Sequence, residues 1–364
     1  MMKKEIPAHM RAMVLTAPGQ YEIKTIPVPV PGPGEALCQI GAVAICGSDP
    51  EIFRGDIAGD WPPSYPFIAG HEWAGKIVAL GEGVTGFQVG DRVAGEAHKG
   101  CGYCRNCMEG RYTICLNYGK PETGHRHYGF KTFGAYAQYQ VFHTETLTPL
   151  PDCVSFGEGA MADTAGVALH GIERGGLCPG ATAVIIGPGP IGMMTLKLAR
   201  ALGAARIIVI GRNPRLERAV EMGCDDAVDF TLCDPVERVR ELTGGVGADI
   251  CYECSGSKGS VSQGIRMVRK GGHVVMLGVA PDTVIEEIPF KYTTANEITI
   301  FGSKANPNTG WKYLELLKNK RVYVKDMITH TFSLEEMTQA VDTFVHRKEG
   351  AMKVVVYPNG GEDI

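Results

Sequence analysis

From about residue 160 the chain alternates continuously apolar runs with segments of helical period. "ATAVIIG" is followed by "PIGMMTLKLARALG" and "ARIIVIG" by "PRLERAVEMG"; "ADICYECSG", "GSVSQGIRMVRKGG" and "HVVMLGVA" continue the alternation. An unbroken apolar strand is buried on both faces, so strand–helix–strand repetition of this kind predicts a parallel sheet covered by helices on both sides. Residues 1–158 have another texture. Short strand-like runs ("RAMVLTA", "ALCQIGAVAI", "AGKIVALG", "DRVAGEA") are separated by Gly and Pro clusters such as "PVPVPGPGE" and "DWPPSYPF", the pattern of a β-rich domain. Past Gly302 come two helical segments, "GWKYLELLKNK" and "SLEEMTQAVDTFVHR", and a last strand, "MKVVVYP". The expected organisation is therefore a β-rich domain of residues 1–158 and 303–364 around a doubly wound parallel sheet of residues 159–302.

The 364 residues accommodate about two domains. A net charge of −4 gives no basis for a nucleic-acid or anionic-membrane partner. The opening "MMKKEIPAHM" lacks the apolar stretch of a secretion signal, and no uninterrupted apolar run reaches the ~20 residues of a membrane span. The expectation is a cytoplasmic chain whose twelve cysteines are reduced.

"GCGYCRNCMEGRYTIC" places Cys101, Cys104, Cys107 and Cys115 in the spacing C-x2-C-x2-C-x7-C. Such loops wrap a tetrahedral thiolate site, and four thiolates leave no position open for substrate, so the expected ion is a structural zinc. A disulfide knot is disfavoured in a reducing compartment, and a redox C-x-x-C leaves two of the cysteines unexplained. A second C-x-x-C, Cys251 and Cys254, falls on a buried strand and reads as core packing.

"IIGPGPIG" carries Gly187, Gly189 and Gly192 as G-x-G-x-x-G, with Pro190 and Ile191 between, after a predicted strand and at the start of a predicted helix. In that context the glycines admit a dinucleotide pyrophosphate against the helix N-terminus. An acid at the end of the next strand binds a ribose 2′-OH. Here that end reads Gly211, Arg212, Asn213, with Arg215 close behind. A small residue with nearby arginines favours the 2′-phosphate of NADP over NAD; the alternative is that Arg212 is a solvated loop residue.

A catalytic metal needs an open position, and its donors lie upstream. "AICGSDPEIF" holds Cys46, Ser48 and Asp49, and "IAGHEWAG" holds His71 and Glu72. Cys46 and His71 supply two donors and a carboxylate must supply the third.

"CGSD", "GHEWAGKIVALGEGVTGFQVGDRV", the four-cysteine lobe and "GPGPIG", in this order over nearly the whole chain, resemble the zinc-dependent medium-chain alcohol dehydrogenase family, nearest its polyol and threonine 3-dehydrogenase branches. The resemblance implies a GroES-like β-rich catalytic domain plus a Rossmann domain, and two Zn2+ per chain, one catalytic and one structural. It places the catalytic zinc on Cys46 and His71, lets Glu72 approach it, and matches a further acid to Asp163, in direct or water-mediated contact; the alternative for Asp163 is a helix N-cap. It makes Ser48 the hydroxyl that takes the substrate's proton and Asp49 the group that orients His71. The relay histidine of relatives is replaced by Pro50 and Glu51, and Glu51 either passes a proton to solvent or is a surface acid. His125, Arg126 and His127 either face the hydroxyls of a polyol or form an exposed loop. The implied reaction converts a polyol secondary alcohol to a ketose with hydride transfer to nicotinamide, in a homodimer or homotetramer pairing through "EITIFGS". The rivals are amino-alcohol oxidation, as in threonine 3-dehydrogenase, and a non-catalytic NADP-binding sensor.

Overall fold

The apolar runs between residues 160 and 302 become strands of one six-stranded parallel sheet in the computed structural model, which describes residues 5–57, 59–280 and 283–361. Side by side lie Asp226–Asp229, Arg206–Gly211, Thr182–Ile186, Ala248–Glu253, Val268–Met276 and Thr299–Gly302. The first strand in sequence, Thr182–Ile186, is central, so strand order reverses between it and Ala248–Glu253. In such sheets that reversal opens the ligand crevice at the carboxyl ends of the strands. Val184, Ile185, Ile208, Val209, Val274 and Val275 are fully buried, which is why these strands read as unbroken apolar runs rather than alternating ones.

The other unit is built on a seven-stranded sheet. Ile328–Ser333, Lys353–Tyr357, Glu35–Ala44, Glu72–Leu80, Arg92–Gly95 and Leu147–Pro149 follow in order, and Tyr139–His143 also pairs with Glu35–Ala44. Only the first pair is parallel. Glu35–Ala44 is the spine: every residue after Glu35 is buried. Its register sets Ala44 opposite both Glu72 and Val355, so the end of one strand and the start of another meet beside the middle of a third.

The compact units divide after Asp163 and after Thr309, not after residues 158 and 302. Ser303 N donates to Met276 O, and Thr309 Oγ1 donates to Gly166 O at 3.1 Å, which keeps 303–309 with the parallel sheet; Lys320–Val324 also belongs there. Tyr313 OH donates to Glu158 O at 3.0 Å and ties the helix Gly310–Lys318 to the β-rich unit. Among the described residues no helix is long and apolar enough to cross a membrane.

Trp73, fully buried, stacks on Phe142 with ring centroids 4.0 Å apart. A Cβ at Gly95 would lie 2.1 Å from the indole Cε2. Gly95→Ala is expected to cost about 1–3 kcal/mol by overpacking, read as a lowered melting temperature, with loss of activity because Trp73 adjoins Glu72.

Candidate functional site

The chain leaves the spine strand at Ile45, whose N–H donates to Val354 O, and turns through Cys46 and Ser48 into the helix Asp49–Arg54. Asp49 is fully buried and organises this turn. Its Oδ2 accepts from Cys46 N–H at 2.9 Å and from Tyr136 OH at 2.7 Å; its Oδ1 lies 3.6 Å from His71 Nδ1. Gly70, at φ +93°, makes the Tyr136 bond accessible, because a Cβ there would lie 2.8 Å from the tyrosine ring. Asp49 Oδ1 thus faces the imidazole of His71 across a gap longer than a hydrogen bond.

One donor atom from each of Cys46, His71 and Glu72 falls within a common 4.8 Å. His71 and Glu72 are buried and Cys46 half-buried. Burial opposes a charge on His71, yet Cys46, Asp49 and Asp163 outweigh it and push the imidazole up to about 10. The pocket thus pulls positive charge into itself, and in a cation-free chain a proton answers that demand. A thiolate, an imidazole and a carboxylate are the N, S and O donors that zinc takes, and three of them leave a fourth position open. The residues present fit the ion.

Asp163 lies outside the close trio and sits in the first turn of the helix Ala162–Gly175, two residues past the N-cap place. Its charge nonetheless acts on His71. Ser48 Oγ is buried with no hydrogen-bond partner among the described residues, an orphan hydroxyl in the same turn as Cys46. Glu51 is exposed on its helix, the position of a surface acid.

In the cysteine lobe the four thiols likewise share a 4.8 Å neighbourhood, and all twelve cysteines are unpaired. Cys101 and Cys107 have their sulfurs 3.9 Å apart, as do Cys104 and Cys115. The edge of a tetrahedron of sulfurs around zinc is about 3.8 Å, from a Zn–S length near 2.3 Å, whereas a disulfide is about 2.05 Å. Cys104 N, Cys101 N, Asn117 N and Asn117 Nδ2 all point at sulfurs, at 3.3–3.5 Å. Burial raises the Cys101 thiol, but Asn117 and backbone N–H groups bring it down to about 6, while burial pushes Cys107 up to about 12. Metal binding to such a set displaces the remaining protons. Gly100 permits the close wrap: a Cβ there would lie 2.5 Å from Cys107 Sγ. Cys251 and Cys254, in contrast, are thiols of the parallel sheet and its rim that burial holds protonated.

The "GHRHYGF" loop is buried, not exposed. His127 stacks between His98 (3.9 Å) and Phe130 (4.0 Å), Phe130 lies 4.6 Å from His71, and Tyr118 OH meets His127 Nδ1 at 2.7 Å. His125 Nε2 is buried without a partner among the described residues. Arg126 turns away, donating to Pro121 O and His125 O.

In the parallel-sheet unit the glycine-rich turn has three separate steric demands. Gly187, at φ +96°, faces Ser255, 2.8 Å from its missing Cβ. Gly189 caps the helix Pro190–Ala201, and among the described residues the one atom near its missing Cβ is Arg215 Nη1 at 3.5 Å, so that face is open. Gly192 brings the helix onto the strand, with Gly187 O 2.1 Å from its missing Cβ. Pro190 starts the helix, where no N–H is required, and Ile191 O accepts from Thr195. Arg212 and Asn213 are exposed, Arg215 is half-buried, and the Arg212 guanidinium lies 5.9 Å from the Phe230 ring centroid. This open cradle at a helix N-terminus fits a dinucleotide pyrophosphate.

Two participants escaped the sequence reading. Lys353, only 1% exposed, donates through Nζ to Glu72 Oε2. Its one signal is a lone lysine opening the apolar strand "KVVVY". Tyr136 gave no signal.

Two family models match the chain: the alcohol dehydrogenase GroES-like domain over residues 32–152 and the zinc-binding dehydrogenase domain over 190–319. Sorbitol dehydrogenase of Bacillus subtilis is 35% identical over 360 residues, covering 98% of this chain and all of the relative; that of Homo sapiens is 32% identical over 342 residues, 92% of each. A Sinorhizobium meliloti protein assigned to the zinc-binding dehydrogenases and solved bound to NADP superposes with a TM-score of 0.87 at 30% identity, covering 97% of this chain and 100% of that one. The 2R,3R-butanediol dehydrogenase of Bacillus subtilis gives 0.86 at 25%, covering 96% and 100%.

Replacing Cys104 with Ser is expected to lower the zinc content by one ion per chain in elemental analysis and to open the lobe to limited proteolysis. His71→Ala removes the other ion while leaving the lobe resistant.

Proposed function

This chain belongs to the zinc-dependent medium-chain alcohol dehydrogenase family, in its polyol branch, and from that membership we propose that it interconverts a secondary alcohol of a polyol and the corresponding ketose. The alcohol loses a hydride to NAD(P)+ and a proton to solvent, giving the ketone and NAD(P)H. The chain is an oxidoreductase acting on a small molecule, so the sensor reading falls away. Amino-alcohol oxidation is not favoured, since sorbitol dehydrogenases match over nearly the whole chain. The observation that carries the reading is the convergence of three donors, not four, at Cys46, His71 and Glu72.

We assign one zinc to that trio, with Asp163 in direct or water-mediated reach, and a second to Cys101, Cys104, Cys107 and Cys115. When bound, zinc supplies the Lewis acidity that acidifies a substrate hydroxyl, and the nicotinamide supplies the hydride acceptor. The chain's own residues do the rest. Asp49 holds Cys46 and His71 in place from behind. Lys353 restrains one Glu72 oxygen. Ser48 Oγ, otherwise without a partner, takes the hydroxyl proton and returns its own to water. His125 Nε2, likewise unpartnered, and Tyr118 offer hydrogen bonds to further hydroxyls of a polyol. NADP over NAD is supported by the absence of an acid at Gly211 and by Arg212 and Arg215 nearby. The sheet-edge strand Thr299–Gly302, with Phe290 exposed close in sequence, supports pairing of copies as a dimer or tetramer.

Cys46→Ser is expected to abolish turnover while NADPH still binds, as followed by nicotinamide fluorescence; an active variant refutes the metal assignment. Across C4–C6 polyols and L-threonine, each assayed with NADP+ and NAD+, the highest kcat/KM is expected for a polyol with NADP+. Turnover of L-threonine alone refutes the substrate class.

A further inference from the structure

The residue that decides ribose recognition in this fold is the last of the second strand, here Gly211. Nothing in its backbone calls for glycine. It lies within the strand Arg206–Gly211, pairs with Asp229, and is not among the residues of positive φ, so any L-residue could adopt its conformation. What excludes a side chain is a neighbour. A Cβ at Gly211 would lie 2.5 Å from Pro188 Cγ and 2.6 Å from Pro188 Cδ, with Leu216 Cδ1 next at 3.6 Å.

Pro188 cannot yield as a flexible side chain does, because its ring is bonded to its own backbone nitrogen and fixes φ. The backbone on either side is held as well. Gly187 packs against Ser255 and donates its N–H to Ile210 O at 2.9 Å, and Gly189 leads directly into the helix Pro190–Ala201. The proline therefore belongs to the phosphate turn and to the wall of the ribose edge at once.

We propose that Pro188 and Gly211 form a single coenzyme-specificity element. The pyrrolidine ring fills the volume through which a carboxylate side chain would leave the second strand toward a ribose diol. The glycine-rich loop itself thereby shuts out the NAD-type acid, and Arg212 and Arg215 are left to read a phosphate at that edge. This rests on the dinucleotide reading above and adds a residue to it. Without its ring at position 188, the same backbone accepts the acid.

The test uses the full-length, zinc-loaded protein and the variants Gly211→Ala, Gly211→Asp, Pro188→Ala, Pro188→Ala/Gly211→Ala and Pro188→Ala/Gly211→Asp. NADPH and NADH are titrated against each by nicotinamide fluorescence, and melting temperatures are recorded without nucleotide. Gly211→Ala is expected to lower the melting temperature, and Pro188→Ala to relieve that loss, a non-additive cycle of contacting residues. Gly211→Asp alone is expected to lose NADPH without gaining NADH, whereas Pro188→Ala/Gly211→Asp binds NADH about tenfold more tightly than either single variant. Equal NADH gain by Gly211→Asp with and without the proline, or a Gly211→Ala protein as stable as the parent, overturns the proposal. A parent that prefers NADH overturns the NADP reading instead, and the steric coupling is then still decided by the melting cycle.

Discussion

A fully buried carboxylate, Asp49, is the constraint on which the β-rich unit's chemistry depends. Burying an acid is costly unless its oxygens are paired, and here a backbone N–H and a tyrosine hydroxyl share that task at Oδ2, while the His71 imidazole stands 3.6 Å from Oδ1. These bonds fix the turn that carries Cys46 and the seat of Tyr136. Around Asp49 gather a thiol, Glu72 and the charge of Asp163, and Lys353 is held against Glu72. The raised proton affinity of His71 expresses that imbalance, and a divalent ion resolves it without a proton. Sheet register makes the gathering possible: Cys46 lies two residues past Ala44, His71 one before Glu72, and Ala44 pairs with Glu72.

Two clusters of soft donors thus serve opposite ends. In the lobe, four cysteine sulfurs come from one short loop, with N–H groups aimed at the sulfurs and Gly100 without a side chain to let the wrap close. In the sheet-end site, the donors come from segments far apart in sequence, differ in kind, and stop at three. A closed set holds a loop; an open set leaves room for a substrate oxygen.

The nucleotide loop follows a different logic, one of excluded volume. Gly187, Gly189 and Gly192 each answer a different neighbour: Ser255, open space below Arg215, and the carbonyl of Gly187 itself. Pro188, in the same turn, reaches across to the next strand and keeps Gly211 bare. On the coenzyme reading proposed above, phosphate binding and ribose recognition share one tight turn.

The order of elements, the parallel sheet and the four-cysteine lobe were legible in the sequence because each rests on local information: an unbroken apolar strand, a 3.6-residue period, or donors within sixteen residues of one another. Cys46, His71, Glu72, Ser48 and Asp49 were legible as motifs for the same reason. Only the tertiary structure decided which atoms meet. It joined Lys353 to Glu72 across 281 residues and Tyr136 to Asp49 across 87, folded the His125–His127 loop into a buried stack, and left Glu51 in water. It also shifted the unit boundaries to Asp163 and Thr309, where hydrogen bonds rather than composition hold the crossing segments. Pairings of this range depend on strand register and side-chain direction, and a single sequence states neither.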